Sequence, residues 1–523
     1  MNFPTALRSL TLALIAAAPL AALDSHISGP RALGLGGAGV AAADDHNAAW
    51  YNPAIYGFFA RTGEEDARLP ADPNFIGRKD WGVGLVDAGL GIELRGRVAD
   101  YVEQLAGIDF ERLEDMSGPD ATADDLKSAV LLATMLQRFD PAADLAVVQS
   151  QIGILNTRVL QVGIGLRQTS EAIVSIADLD RANLGIGLSG GSINTQINNA
   201  GGAPAGWTQT LILPGSQAES NLSGLGLDAQ AILNLDYAAS QAGLSLADID
   251  AIAGSGSGAL IGALSGTGDI RDNQTAVFTG GFALAEVPLT VGWAINDHLA
   301  VGGSLKLMVG RVAGAKARVY EGVEDLPDLI QEAFDSAEQT VTGGIDLGFA
   351  ARWSWGQVGL SGRNLNRPVL QGSTFRDSDG NPFRIEDVTL EPQVAVGVAL
   401  YPFETVVLTA DLDLTENETE LVTVSGNPNL PVGAPDRTTV RYATQRLGGG
   451  IEWNAFRFLA LRLGASTDLA ESEQGPMVHG GIGLNLWAIR FDLAAAAATE
   501  TVVVDGEEYP RAIHAAAGLS IDF

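Results

Sequence analysis

The segment Arg511 to Phe523 reads R-A-I-H-A-A-A-G-L-S-I-D-F. Successive side chains of an extended strand point to opposite faces. Ile513, Ala515, Ala517, Leu519, Ile521 and Phe523 therefore share one face, and His514, Ala516, Gly518, Ser520 and Asp522 the other. One face is apolar, the other small or polar. A strand of this length ending on an aromatic side chain can cross a bilayer at a tilt. It has the form of the closing strand of an outer-membrane barrel, with Leu519, Ile521 and Phe523 as the expected barrel-assembly signal. An edge strand of a soluble sandwich alternates in the same way, so the rest of the chain has to decide.

The opposite end decides for export. Arg8 precedes an apolar run from Leu10 to Ile15 and a small-residue stretch from Ala16 to Ala22, all ahead of the first acid at Asp24. These are the three zones of a secretory signal peptide, expected over residues 1–22 with cleavage near Ala21 or Ala22. Elsewhere glycine or charge interrupts every apolar run of eighteen residues, which argues against a helical inner-membrane protein. The absence of cysteine excludes disulfides, thiolate metal sites, cysteine nucleophiles and a lipoprotein anchor together. A formal charge of −32 repels phosphate, so nucleic acid is not an expected partner.

From Trp81 onward, segments of about ten residues alternate with period two. Val406, Leu408, Ala410, Leu412 and Leu414 oppose Val407, Thr409, Asp411 and Asp413, and Leu459, Leu461, Leu463 and Ala465 oppose Ala460, Arg462, Gly464 and Ser466. Ile489, Phe491, Leu493 and Ala495 oppose Arg490 and Asp492. So many charges opposite Leu and Val fit a polar interior and an oily exterior better than two faces meeting across a dry core. Short turns at Tyr401–Glu404, Asn454–Phe456 and Trp487–Ala488 alternate with long polar loops at 366–391, 416–439 and 499–510, as in a barrel with one short-turn rim and one long-loop rim.

Further strands are expected at 81–95, 159–168, 277–285, 287–296, 299–312, 341–353, 357–364 and 393–401. The fold class is thus all-β: a transmembrane antiparallel barrel of about fourteen strands over 81–523. Helical or irregular insertions are expected at about 98–156 and 178–275, where spacing such as Ala123 to Leu132 is helical.

After the signal peptide come Pro30-Arg31-Ala32-Leu33-Gly34-Leu35-Gly36-Gly37-Ala38-Gly39, the acidic pair Asp44-Asp45, and Tyr51-Asn52-Pro53-Ala54. This resembles the N-terminal signature of the FadL and PorV superfamily of outer-membrane barrels. Val358 to Leu365 and the Leu461–Gly464 step within Gly449–Ser466 are similar to its strand motifs, and the conjugal-transfer TraF-type branch, distinct from the thioredoxin-like proteins sharing that name, is the nearest. The resemblance implies that residues 23–80 are an N-terminal hatch or plug segment folded inside the barrel, and that Gly34, Gly36, Gly37, Gly39, Asn52, Pro53 and Ala54 belong to it. Gly34, Gly36 and Gly39 also match a dinucleotide fingerprint, but no βαβ unit surrounds them.

No H-E-x-x-H, paired metal-spaced histidine or G-x-S-x-G elbow occurs, so neither an enzyme nor a cofactor is expected. The functional candidates are the lumen-facing charges Asp411, Asp413, Glu452, Arg462, Arg490 and Asp492, which either hold the hatch or line a path. The expected function is passive transport of small molecules, hydrophobic ones included, across the outer membrane of a Gram-negative bacterium. The charged faces weigh against hydrophobic cargo. The alternative is a structural component of a conjugation or secretion apparatus. Expected partners are outer-membrane lipid, the barrel-assembly machinery and proteins of such an apparatus.

Overall fold

The computed structural model describes residues 27–43, 45–60, 81–98, 101, 122–180, 183, 193–254, 272–319, 326–431, 436–455, 458–472, 475–486, 488–504 and 507–522. The expected signal peptide and Phe523 lie outside them. In chain order the strands begin with β1 (Trp81–Arg95), β2 (Leu145–Val159), β3 (Val162–Ala177), β4 (Ala276–Ala294), β5 (Leu299–Arg318), β6 (Gln339–Trp353) and β7 (Gly356–Arg363). Short strands β8 (Val369–Leu370), β9 (Thr374–Arg376), β10 (Pro382–Ile385) and β11 (Val388–Thr389) follow in one loop. Next come β12 (Gln393–Phe403), β13 (Val406–Asp413), β14 (Asn417–Ser425), β15 (Arg437–Thr444) and β16 (Arg446–Ala455). The last are β17 (Leu459–Asp468), β18 (Met477–Leu486), β19 (Ile489–Ala498), β20 (Thr501–Val504), β21 (Glu507–Pro510) and β22 (Ala512–Asp522).

Fourteen of them close a barrel in the order β1-β2-β3-β4-β5-β6-β7-β12-β13-β16-β17-β18-β19-β22, with β22 antiparallel to β1. Closure leaves no unpaired edge, the condition for a sheet to sit in hydrocarbon. The outer face carries exposed Leu90, Ile152, Leu289, Leu305, Leu347, Leu463 and Leu493. On β5 this belt runs from Leu299 to Val309 and stops at exposed Arg311. Ten residue steps are about 33 Å along the strand and, at the usual tilt, about 25 Å along the barrel axis. Exposed Trp81, Trp293, Trp355, Phe403, Trp453 and Phe458 cluster at the short-turn rim, forming an aromatic girdle at that interface. No helix among the described residues is long and apolar enough to cross a membrane.

Every long connection rises from the opposite rim. Strands β15-β14-β10-β9 form a second sheet there, and it fills the barrel mouth. Its Phe375, Phe383, Ile385, Leu421, Val440 and Tyr442 pack on inward-facing Phe278, Phe282, Leu284, Met308 and Val312 of β4 and β5. Burying side chains of this size stabilises by roughly 1.5–3 kcal/mol each. Outside the wall, the helix Leu326–Ser336 covers Ala315 and Ala317, so β5 continues above the belt buried on both faces.

The two insertions join into one helical cap. Leu126 and Val130 of helix Ala123–Arg138 share a core with Ile197, Leu222, Ile232, Leu235 and Ile252 from the second insertion. Thr122 and Asp125 form a capping box at that helix start. Buried Asp236 accepts the Trp207 indole N–H (2.8 Å) and the backbone N–H groups of Thr210, Leu211 and Ile212, tying loop 207–212 to helix Ala229–Gln241.

Two expectations are corrected. The first insertion ends before Leu145, not at 156, because residues 145–159 are barrel strand β2. Its upper half is buried on both faces and a bulge interrupts its pairing with β3 between Ile154 and Thr157, so period-two alternation is lost. Residues 277–285 and 287–296 are not two strands but the single β4. Glu286 and Pro288 both face inward, and pairing with β3 lapses between Ile164–Leu289 and Arg167–Glu286, beside the proline that lacks an N–H.

Candidate functional site: the hatch and its charged collar

Residues 27–60 lie inside the barrel and fall into two stretches held by different physics. In the first, Gly36 (φ 72°) and Gly37 (φ 85°) adopt the left-handed conformation that favours glycine. Their backbone runs against the wall: a side chain at Gly448 of β16 would overlap the Gly36 carbonyl, and one at Gly359 of β7 would overlap that of Val40. Gly34 lies against Arg462 and Gly481, and Gly39 against the Tyr51 ring.

Polar links surround this stretch. Arg31 donates through Nε and Nη2 to the two carboxylate oxygens of Glu452, both at 3.0 Å. Arg462, buried on β17, donates to Glu452 (2.6 Å) and to Asp492 (2.6 Å), and Arg490 pairs with Asp492 at 2.8 Å. Asp411 Oδ2 accepts the backbone N–H groups of Gly39 (2.6 Å) and Val40 (2.7 Å), a carboxyl oxygen seated in a main-chain nest. His479 contacts the Leu33 carbonyl through Nδ1 (2.8 Å) and Ser466 through Nε2 (2.7 Å). Gln357 and Gln151 donate to the carbonyls of Ala41 and Ile27.

The second stretch, 45–60, is anchored by apolar and aromatic contact. Ala48, Ala49, Tyr51, Ala54, Ile55, Tyr56 and Phe58 form a core with Ala300 and Ala350 of the wall. Burial pushes the Tyr51 and Tyr56 phenols up, so both remain neutral donors, to the Ser28 and His46 carbonyls respectively. Three wall arginines lie over hatch rings: Arg167 over Trp50 at 4.0 Å, Arg158 over Phe59 at 4.0 Å and Arg352 over Phe58 at 4.1 Å. A desolvated contact of this kind contributes about 2 kcal/mol. Asn52 closes a local turn by accepting from Ala54 N–H (3.1 Å) and reaches the wall through the Phe349 carbonyl (3.0 Å). Pro53 opens the 3-10 helix Pro53–Ala60 and sits against Gly302.

Of the six lumen candidates, Glu452, Arg462, Arg490 and Asp492 thus meet in one cluster with Arg31. Asp411 grips the hatch separately. Asp413 lies towards the rim, where it accepts the Arg446 N–H (3.1 Å) and the Asn417 amide (3.3 Å). Leu519 and Ile521 sit on the outward face of β22 beside Phe491 and Ile489. Sequence reasoning missed a second collar on the far wall. There Arg167 (β3), Glu286 (β4), Lys306 (β5) and Asp346 (β6) alternate in sign on four neighbouring strands, at 2.7, 3.1 and 3.0 Å. The signal was available: Glu286 and Lys306 are lone charges set between apolar neighbours.

One cavity among Arg31, Asp45, Asn47 and Tyr51 holds about 10 Å³, room for a single water. On the outer face, Ala88, Gly480, Ala495, Ala515 and Ala517 leave an open apolar depression of about 690 Å³ in the wall.

A family model described as "F plasmid transfer operon, TraF, protein" matches residues 49–413, well over half of the chain. The chain belongs to this TraF family. Its match runs from the second stretch of the hatch through β13, so it takes in both insertions and the second collar. No curated protein sequence matches significantly. Among solved structures, the toluene transporter TbuX of Ralstonia pickettii is 12% identical, with TM-score 0.40 over 95% of this chain and 98% of that one. The P. putida toluene transporter TodX is 10% identical (TM-score 0.41; 96% and 99% covered), as is a Pseudomonas aeruginosa FadL homologue (0.41; 95% and 98%). Likeness this remote says nothing about cargo.

Proposed function

We propose that this TraF-family chain is a barrel of the Gram-negative outer membrane that admits small molecules when the first stretch of its hatch rearranges. The single observation behind this reading is that residues 27–43, beside small apolar contacts of Leu33, Ala41 and Ala42 with wall alanines, are bound to the wall through hydrogen bonds and the Arg31–Glu452 pair, contacts that water or solute can replace. The lumen they border is charged on both walls, which suits hydrated molecules better than hydrocarbons. Reconstituted protein lacking residues 30–54 should conduct small ions or solutes in planar bilayers more than the full chain, and cells without the gene should take up at least one small solute more slowly. Equal conductance with and without the segment, together with unchanged uptake, would sink the proposal.

A second reading is favoured by the mouth: the loop sheet and helical cap build a folded surface where a pore would be open, and the family description names a plasmid transfer operon. In that reading the cap docks on a conjugation or secretion apparatus. Replacing residues 193–254 by a short linker would then lower transfer frequency while leaving conductance alone.

A further inference from the structure

The second collar is one charge out of balance. Arg167, Glu286, Lys306 and Asp346 pair along β3 to β6 and cancel. Asn364 completes the row, accepting from Lys306 (2.7 Å) and donating its N–H to Asp346 (2.9 Å). The next inward charge is Arg363 of β7, at the end of the ladder that pairs β7 with β6 beside Asp346. Among the described residues, its guanidinium has no ion-pair partner, and its Nε is buried without an acceptor. Two residues back on the same inward face, the Ser361 hydroxyl is 97% buried and also has no partner.

Arg363 is half-buried and keeps its charge, and its buried Nε and the buried Ser361 hydroxyl are left to be met by an anion or by trapped water. We propose that Arg363 and Ser361 bind one small monovalent anion in the lumen, of the size of chloride or formate. The guanidinium fork supplies two parallel N–H donors and the serine a third, while the neighbouring acids Glu286 and Asp346 are already occupied by Lys306 and Arg167. A monoanion brings the five-strand row to neutrality. A dianion would overshoot it beside two carboxylates. This site does not depend on whether the lumen conducts.

The test uses the full-length barrel refolded in detergent. Melting temperature is followed against sodium chloride and, separately, sodium formate, with sodium gluconate holding ionic strength constant. The wild type should show a rise that saturates with either small anion. Arg363→Gln should weaken the apparent affinity by more than about tenfold, and Ser361→Ala by about fivefold, the loss of charged and neutral hydrogen bonds respectively. Saturation with chloride alone would mark an ion site too small for carboxylates; saturation with both would mark a general monoanion site. A linear response in the wild type, or equal saturation in Arg363→Gln, would mean a guanidinium that is merely hydrated and would overturn the assignment. Should Arg363→Gln fail to refold, Ser361→Ala decides: an unchanged affinity there overturns the site.

Discussion

The two stretches of the hatch occupy one lumen and are held by different balances of polar and apolar contact. Residues 27–43 press backbone against wall glycines and are fastened by carboxylates, amides and an imidazole; residues 45–60 bury aromatic rings beneath arginines and against alanines. The difference teaches where movement is cheap. Polar links exchange with water at small net cost, whereas exposing a buried ring forfeits its whole transfer energy.

The largest test of this contrast is steric. Gly448→Val removes the space the Gly36 carbonyl occupies, so residues 27–43 should leave the wall and become open to protease, while 45–60 stay protected. Release of both stretches, or of neither, would break the distinction. Next is Trp50→Ala, which empties a buried ring site beneath Arg167 and should cost about 3–5 kcal/mol in denaturant unfolding. A loss below about 1 kcal/mol would mean the aromatic anchor is dispensable. Arg31→Gln should cost less, about 1.5–3 kcal/mol, because Glu452 keeps Arg462 as a partner. Smallest of all is the response to salt. Raising ionic strength tenfold should change protease protection of residues 27–43 by less than about twofold, since pairs this enclosed are hardly screened. A strong salt effect would place Arg31 and Glu452 in contact with bulk water.

What could be read from the chain follows the same physics. β13, β17, β19 and β22 were legible because lipid on one side and charge on the other impose strict alternation on Leu461 beside Arg462 or Phe491 beside Asp492. β2 was not, because Leu145 to Gln149 is covered on both faces above the membrane and nothing there enforces a polar phase. The Glu452–Arg462–Asp492 cluster came from charges close in sequence. Its counterpart draws Arg167 and Asp346 from far apart in sequence, and the pairing of β3 with β4 across a long insertion is what brings them into one row. Arg31 and the three arginine–ring stacks join hatch to wall, a relation that strand periodicity does not encode.

The seam between β1 and β22 has a consequence for biogenesis. Gly84 and Gly518, one on each side of it, both lie against the hatch, next to His46 and Pro30. Zipping this last ladder around a segment already seated spares the chain from threading a bulky, Trp-bearing peptide into a finished cylinder. The hatch would then serve as the mandrel on which the sheet is wrapped, and its removal should slow maturation before it alters anything the mature protein does.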